Sequence, residues 1–169
     1  DVRQGRDDSS RFDHGLLNRF ATYRTALKKG LDSIRIHGDA PTQASFDEDL
    51  VEAADRLRRQ TPPGRRVRLC GKLDMLGVSR KVMGLYLEDG TPVTALWNAE
   101  DFTGLSGFLG VAVVIEGLAV FRPSGKLLRV DVDAIAEAGQ GDSYFSTLPL
   151  PGTTGDYAAA VRVRPGHSP

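Results

Sequence analysis

Short runs in which apolar and polar residues alternate fill residues 65–135, with turn-forming residues between most of them. An alternation of period two is typical of a strand with one buried face. Five strands are expected, at residues 67–73, 81–87, 92–97, 111–121 and 127–132. The long gap at residues 98–110 is expected to hold a helical stretch. The order strand-strand-strand-helix-strand-strand predicts a mainly β chain with a five-stranded Greek-key barrel of the OB-like type.

The same alternation predicts which side chains fill the barrel. The expected inward-facing residues are Val67, Leu69, Leu85, Leu87, Val113, Ile115, Val130 and Val132. Gly71 and Gly117 interrupt two of the strands, where a glycine often marks a bulge or a bend. Such bends allow a small sheet to close on itself. Asp89-Gly90 provides the positive φ angles of a tight hairpin.

Before the barrel, the pattern changes to helical spacing. Phe12, Leu16, Phe20, Tyr23 and Leu27 recur every three or four residues, which favours one helix with a core-facing stripe. A second helix is expected over residues 45–60. Its predicted N-terminus is a capping box of Ser45 with Glu48, and Pro62 follows its end. The first eleven residues are polar and are expected to be frayed.

The organisation that follows has three parts. We expect a helical segment over residues 1–64, an OB-like barrel over residues 65–138 and a Pro- and Gly-rich tail over residues 139–169. The tail is expected to be an irregular, extended arm. Its residues 158–163 would suit an additional edge strand, in the same molecule or in a neighbouring one.

Composition narrows the range of partners and compartments. The chain has 22 basic and 22 acidic residues, so its net charge gives no general attraction to nucleic acid or to an anionic membrane. The longest apolar stretch, residues 108–120, is too short to cross a bilayer. A single cysteine, Cys70, excludes an internal disulfide and is expected to be a small buried or half-buried side chain. These features favour a cytoplasmic protein without a membrane partner.

Two stretches carry a resemblance to a known fold group. They are VRLCGKLDMLGVSRKVMGLYLEDGTPVTALW and VVIEGLAVFRPSGKLLRVDVDAI. Residues 65–135 resemble an OB-fold domain in three features: a valine-rich first strand with a glycine, a DG hairpin, and a fourth strand of the pattern V-x-x-E-G. The resemblance implies a binding module and transfers no catalytic residue. The helices before Pro62 are not part of the usual OB pattern.

OB domains usually bind on the face of their second and third strands, between the loops that here are residues 74–81 and 121–126. Both loops contain basic residues, and Tyr86 has outward parity on the second strand. The candidate nucleic-acid-binding residues are Arg66, Arg68, Lys72, Arg80, Lys81, Tyr86, Arg122 and Lys126. Cations that contact phosphates and an aromatic ring that stacks on a base are what a single strand of DNA or RNA requires.

No motif in the sequence indicates catalysis, metal binding or a cofactor. His14, His37 and His167 lie far apart in the sequence, without a second ligand at metal-binding spacing. We expect no enzyme activity, no cofactor and no metal. An alternative function is protein interaction or homo-oligomerisation. In that case the helical stripe and the proline-rich tail would contact partner chains, and the barrel would serve as a scaffold.

Overall fold

The computed structural model describes residues 1–36, 44–98 and 102–152. Its α-helices are α1 (His14–Thr22), α2 (Arg24–Leu27) and α3 (Glu48–Gln60). Its strands are β1 (Ile34–Ile36), β2 (Ala44–Phe46), β3 (Arg65–Gly77), β4 (Val82–Tyr86), β5 (Pro92–Trp97), β6 (Ala112–Phe121) and β7 (Leu127–Glu137). Short 3-10 helices cover Val78–Arg80, Thr103–Phe108 and Asp142–Phe145. The chain is therefore mainly β, as predicted.

Five strands close into one barrel in the order β3-β4-β5-β7-β6, with β6 returning to β3. Strands β5 and β7 run parallel, and every other neighbouring pair is antiparallel. This order is compatible with an OB-like barrel and confirms the expected fold class. Strands β1 and β2 form a separate antiparallel pair that the sequence pattern did not predict.

The barrel interior contains the side chains that the alternation selected. Seven of them are buried in one cluster: Leu69, Leu85, Leu87, Val113, Ile115, Val130 and Val132. Val67 is only partly buried at the edge of that cluster. The helical stretch between the third and fourth barrel strands is the short 3-10 helix, and Phe102 and Leu105 from this region join the core. Trp97 also packs against the core.

Gly71 and Gly117, the two glycines inside barrel strands, differ in their effect on strand pairing. The β6–β7 register shifts at Gly117, whose partner is Val132 while Glu116 pairs with Ala134, so Asp133 bulges out of β7. The ladder is therefore irregular beside Gly117, although the extra residue belongs to β7. The irregularity in β3 instead falls at Asp74, between Leu73 and Met75. Gly71 lies where β4 comes close, because a Cβ atom there would sit 2.8 Å from the Tyr86 carbonyl oxygen.

The helical segment differs from expectation at its caps. The N-cap of α3 is Asp47, whose Oδ1 accepts a hydrogen bond from the Leu50 N–H at 3.0 Å. The predicted Ser45 cap is wrong, because Ser45 belongs to β2 and pairs with Arg35 of β1. The end of α3 at Gln60, just before Pro62, agrees with the prediction. The stripe expected as one helix is divided into α1 and α2, with Asp13 capping the first.

The described part of the tail packs against the outside of the barrel. After β7 it forms the 3-10 helix Asp142–Phe145 beside β3, and Ser146 Oγ then accepts a hydrogen bond from the Glu88 N–H at 2.7 Å. Residues 146–152 contain no helix or strand, which fits the expected irregular arm. The proposed strand at residues 158–163 lies outside the described residues, as do His37 and His167.

Candidate functional site

The outer surface of β3, β4 and β5 carries the exposed aromatic residue of the candidate set. Tyr86 on β4 has 45% of its surface exposed, which confirms its outward parity. Its ladder neighbours are Lys72 on β3 and Pro92 on β5, and both are exposed. A cation and an aromatic ring thus lie side by side on the face where OB domains usually bind.

One apolar residue of this face escaped the sequence analysis. Met75 should point inward by simple alternation from Leu73, but the bulge at Asp74 reverses its direction and leaves 50% of its surface exposed. Its side chain lies over Gly84, since a Cβ atom at Gly84 would be 3.2 Å from the Met75 Cβ. With Thr94 as the β5 partner of Gly84, the surface becomes a mixed one that suits a flat, partly apolar ligand. We call Lys72, Met75, Gly84, Tyr86 and Thr94 the β4 face.

The loop between β3 and β4 borders the β4 face at one end. It is built on the 3-10 helix Val78–Arg80 and on Lys81, which adopts a left-handed conformation with φ 50°. Arg80 is exposed, and Val78 is the most exposed aliphatic residue of this loop, at 68%. Within the residues that the structure describes, neither Arg80 nor Lys72 forms an ion pair. Both cations are thus available to a negatively charged ligand.

The β6–β7 loop lies at the other end of the β4 face, and its basic side chains already form ion pairs within the molecule. Lys126 Nζ lies 2.8 Å from Asp8 Oδ2, and Arg122 Nη1 lies 3.1 Å from Asp8 Oδ1. Asp8 belongs to the N-terminal stretch that was expected to be frayed. Hydrogen bonding from Lys126, followed by bonds from Arg122 and Ser124, holds the pKa of Asp8 below its ordinary value. Asp8 was missed because nothing near it in the sequence indicates a partner more than a hundred residues away.

Arg66 and Arg68 lie apart from the β4 face, on the half of β3 that pairs with β6. Arg66 forms an ion pair with Asp133, the residue that bulges from β7. Arg68 lies 2.9 Å from Asp142 Oδ1, and its guanidinium is 5.1 Å from the centre of the Phe145 ring. The contacts of Arg68 hold the tail against the barrel. The structure therefore leaves Lys72, Tyr86 and Arg80 exposed and ties both Arg66 and Arg68 to structural partners.

Cys70 is buried, as expected. Burial raises the pKa of its thiol, and the negative charges of Asp142 and Glu88 raise it further. A thiol of this kind is a weak nucleophile, because only the thiolate reacts readily.

In the described parts of the chain, no three His, Cys, Asp or Glu side chains are grouped closely enough to hold a metal ion. His14, at the first position of α1, is exposed.

None of the helices in the described ranges has the length and apolar character that crossing a membrane requires. No protein-family model matches the chain, and no curated protein matches it in sequence.

Proposed function

We propose that this barrel is an OB-type module that binds single-stranded nucleic acid on the β4 face without chemistry. In this proposal a base stacks on Tyr86, and the neighbouring phosphates contact Lys72 and Arg80. The observation that carries the proposal is the pairing of exposed Tyr86 with exposed Lys72 across the β3–β4 ladder. The OB-like strand order supports it, because OB barrels commonly bind oligonucleotides on this face.

The chemistry of the β4 face matches a single strand better than a duplex. A base presents a flat π surface, and stacking on an aromatic side chain contributes about 1–3 kcal/mol per base. Met75 over the bare backbone of Gly84 extends the apolar platform next to Tyr86. Because bases of every kind stack, the module should show little sequence preference.

A titration of a fluorescein-labelled oligothymidylate, followed by fluorescence anisotropy at two salt concentrations, tests the proposal. Tyr86→Ala should weaken binding by about 1–3 kcal/mol with an unchanged salt slope, because stacking releases no counterions. Lys72→Gln should instead reduce the slope of log affinity against log salt by about 0.7, the value for one phosphate on a single strand.

Two variants serve as matched controls. Tyr86→Phe keeps the ring and should bind like the wild type. Tyr144→Ala removes an aromatic residue that is 85% exposed but belongs to the tail, so it should have no effect. Absence of binding by the wild-type protein at low salt would exclude the nucleic-acid function.

A protein-interaction function is the second candidate, and one observation favours it. Met75, Val78 and Tyr86 are all large exposed apolar residues on or beside the β4 face, and such groups often mark contacts between proteins. If wild-type protein ignores the oligonucleotide, sedimentation velocity should then show a self-associating species. Val78→Asp should dissociate that species, whereas a monomer at all concentrations would argue against homo-oligomerisation.

A further inference from the structure

The turn between β6 and β7 presents three donors in a fixed arrangement. The Arg122 N–H donates to the Lys126 carbonyl at 2.9 Å, and the Gly125 N–H donates to the Arg122 carbonyl at 2.9 Å. Gly125 has a φ of +82°, which this tight turn requires. The side chains of Arg122, Ser124 and Lys126 therefore start from a defined backbone and converge on one point.

That point is occupied by the carboxylate of Asp8. Lys126 Nζ donates to Oδ2 at 2.8 Å, while Arg122 Nη1 and Ser124 Oγ each donate to Oδ1 at 3.1 Å. The backbone adds two bonds, from Arg122 Nη1 to the Asp8 carbonyl at 2.9 Å and from the Ser124 N–H to the Asp7 carbonyl at 3.1 Å. Two cations and a hydroxyl around one anionic group constitute an oxyanion site, which we call the loop anion site.

Asp8 uses only part of the hydrogen-bonding capacity of Arg122, because both of its bonds come from Nη1. Within the part of the chain that the structure describes, the buried Arg122 Nε has no hydrogen-bond acceptor. A phosphate group offers more oxygen acceptors than a carboxylate and pairs well with the forked geometry of a guanidinium. The Asp8 side chain is itself 45% exposed, so an anion from solvent can reach the site.

The loop anion site opens onto the proposed binding surface. A groove between the loop, β5 and tail residues 148–151 is lined by Thr94 of the β4 face together with Arg122 and Lys126. A strand that stacks on Tyr86 and continues over β5 would bring a phosphate to this groove. The ion pair of Asp8 with Lys126 is solvent-exposed and that with Arg122 is partly exposed, and exposed pairs contribute little stability.

The geometry points to the loop anion site as a phosphate site of the single strand, held closed by Asp8 as a competing intramolecular anion. This inference rests on the proposed function and adds a regulation to it. Because Asp8 is part of the same chain, its effective concentration is high, and the strand must displace it to bind. The N-terminal stretch thereby lowers the affinity of the barrel for its ligand.

The test compares two substitutions that change the net charge equally. Asp8→Asn removes the competing charge, whereas Asp7→Asn removes a neighbouring carboxylate that forms no ion pair among the described residues. Anisotropy titrations with the labelled oligothymidylate should show about fivefold tighter binding for Asp8→Asn, because the competing charge is gone, and little change for Asp7→Asn. The gain should disappear in Asp8→Asn/Arg122→Gln/Lys126→Gln.

A second measurement does not depend on nucleic acid. Inorganic phosphate is titrated into each protein, and the Ser124 amide is followed by ¹⁵N–¹H NMR. Asp8→Asn should show a saturable shift of this amide that Asp8→Asn/Arg122→Gln/Lys126→Gln lacks.

The outcomes separate the two proposals. An absent phosphate shift in Asp8→Asn overturns the loop anion site. Equal tightening by Asp7→Asn and Asp8→Asn also overturns the intramolecular competition, since it shows a general charge effect, and leaves the proposed function intact. A selective phosphate shift without oligonucleotide binding by any variant supports the loop anion site and excludes the proposed function.

Discussion

The barrel and the helical segment that precedes it, with α1, α2 and α3, are held in place by different forces. The barrel has one continuous buried cluster and a closed ladder of backbone hydrogen bonds. The helical segment has a smaller buried cluster made by Phe12, Leu17, Ala54 and Leu57. It adds ion pairs such as those of Asp55 with Arg58 and Arg59. Backbone bonds and close packing do not titrate, whereas carboxylate contacts do.

Charged side chains also join the two regions. Asp13 caps α1 and accepts a hydrogen bond from Arg129 of β7 at 2.8 Å, and Asp8 binds the β6–β7 loop. Contacts of this type weaken with salt and with acid. The comparison teaches that the barrel supplies a fixed surface, while the helical segment sits on it through contacts that conditions and ligands can adjust.

The largest expected effect concerns the fixed part. Gly117→Ala would place a Cβ atom 2.2 Å from the Asp131 carbonyl oxygen, so the β6–β7 bulge must shift. The free energy of unfolding should fall by about 3 kcal/mol or more, at or above the upper end of the usual range for overpacking. Chemical denaturation followed by Trp97 fluorescence measures this, because Trp97 packs against the barrel core.

Two other glycines give a graded control. At Gly71 the nearest atom to an added Cβ would be 2.8 Å away, and at Gly107 no atom lies within 4 Å. Gly71→Ala should therefore be intermediate, and Gly107→Ala should be within about 1 kcal/mol of wild type or slightly stabilising. Equal midpoints for Gly117→Ala and Gly107→Ala would show that the barrel is not the rigid part.

A smaller effect is expected at the start of α3. Asp47 caps the helix and also receives Arg3 Nη1 and Nη2 at 2.8 Å, so Asp47→Ala should cost about 0.5–2 kcal/mol. Ser45 is the residue that the capping-box pattern selected. Ser45→Ala should leave the denaturation midpoint unchanged when unfolding is followed by far-UV circular dichroism. A larger loss of stability in Ser45→Ala than in Asp47→Ala would contradict the observed cap.

These cases show which features the sequence could predict. The barrel strands follow from local alternation, and the predicted strand at residues 92–97 coincides with β5. The choice of Asp47 over Ser45 depends on the pairing of Ser45 with Arg35, which is a non-local contact that no pattern around residue 45 reveals. Met75 was missed for a related reason, since a single bulge reverses the direction of the residues that follow it.

The candidate site was predictable only in part. Outward parity identified Tyr86 and Lys72, because both are separated from the core residues by an odd number of positions on regular strands. Arg122 and Lys126 both pair with Asp8, which is 114 and 118 residues away in the sequence. Such a long-range ion pair cannot be predicted from the local spacing of residues. Basic loops alone therefore overstate the charge that a ligand would meet.

The smallest effect tests whether the helical segment is the adjustable part. Burial on its own raises the pKa of Asp13, but hydrogen bonds from the Leu16 N–H and from Arg129 outweigh it, so the pKa lies below its ordinary value. A carboxyl with a lowered folded-state pKa stabilises the protein above its unfolded pKa, near 3.9, and loses that contribution as the pH falls through the folded value. Acidification below about pH 4 should therefore loosen the helical segment before the barrel.

A pH titration from 7 to 2.5, followed by helix circular dichroism and by Trp97 fluorescence, measures the two regions separately. The helix signal should change at higher pH than the fluorescence. Asp13→Asn should lower stability at pH 7 by less than about 1 kcal/mol, after solvent screening of a partly exposed pair, and should make the acid dependence shallower. Asp32→Asn, an exposed residue without an ion pair in the described ranges, should behave like wild type. Coincident transitions at both probes, with Asp13→Asn as acid-sensitive as wild type, would mean that the helical segment and the barrel unfold as one unit.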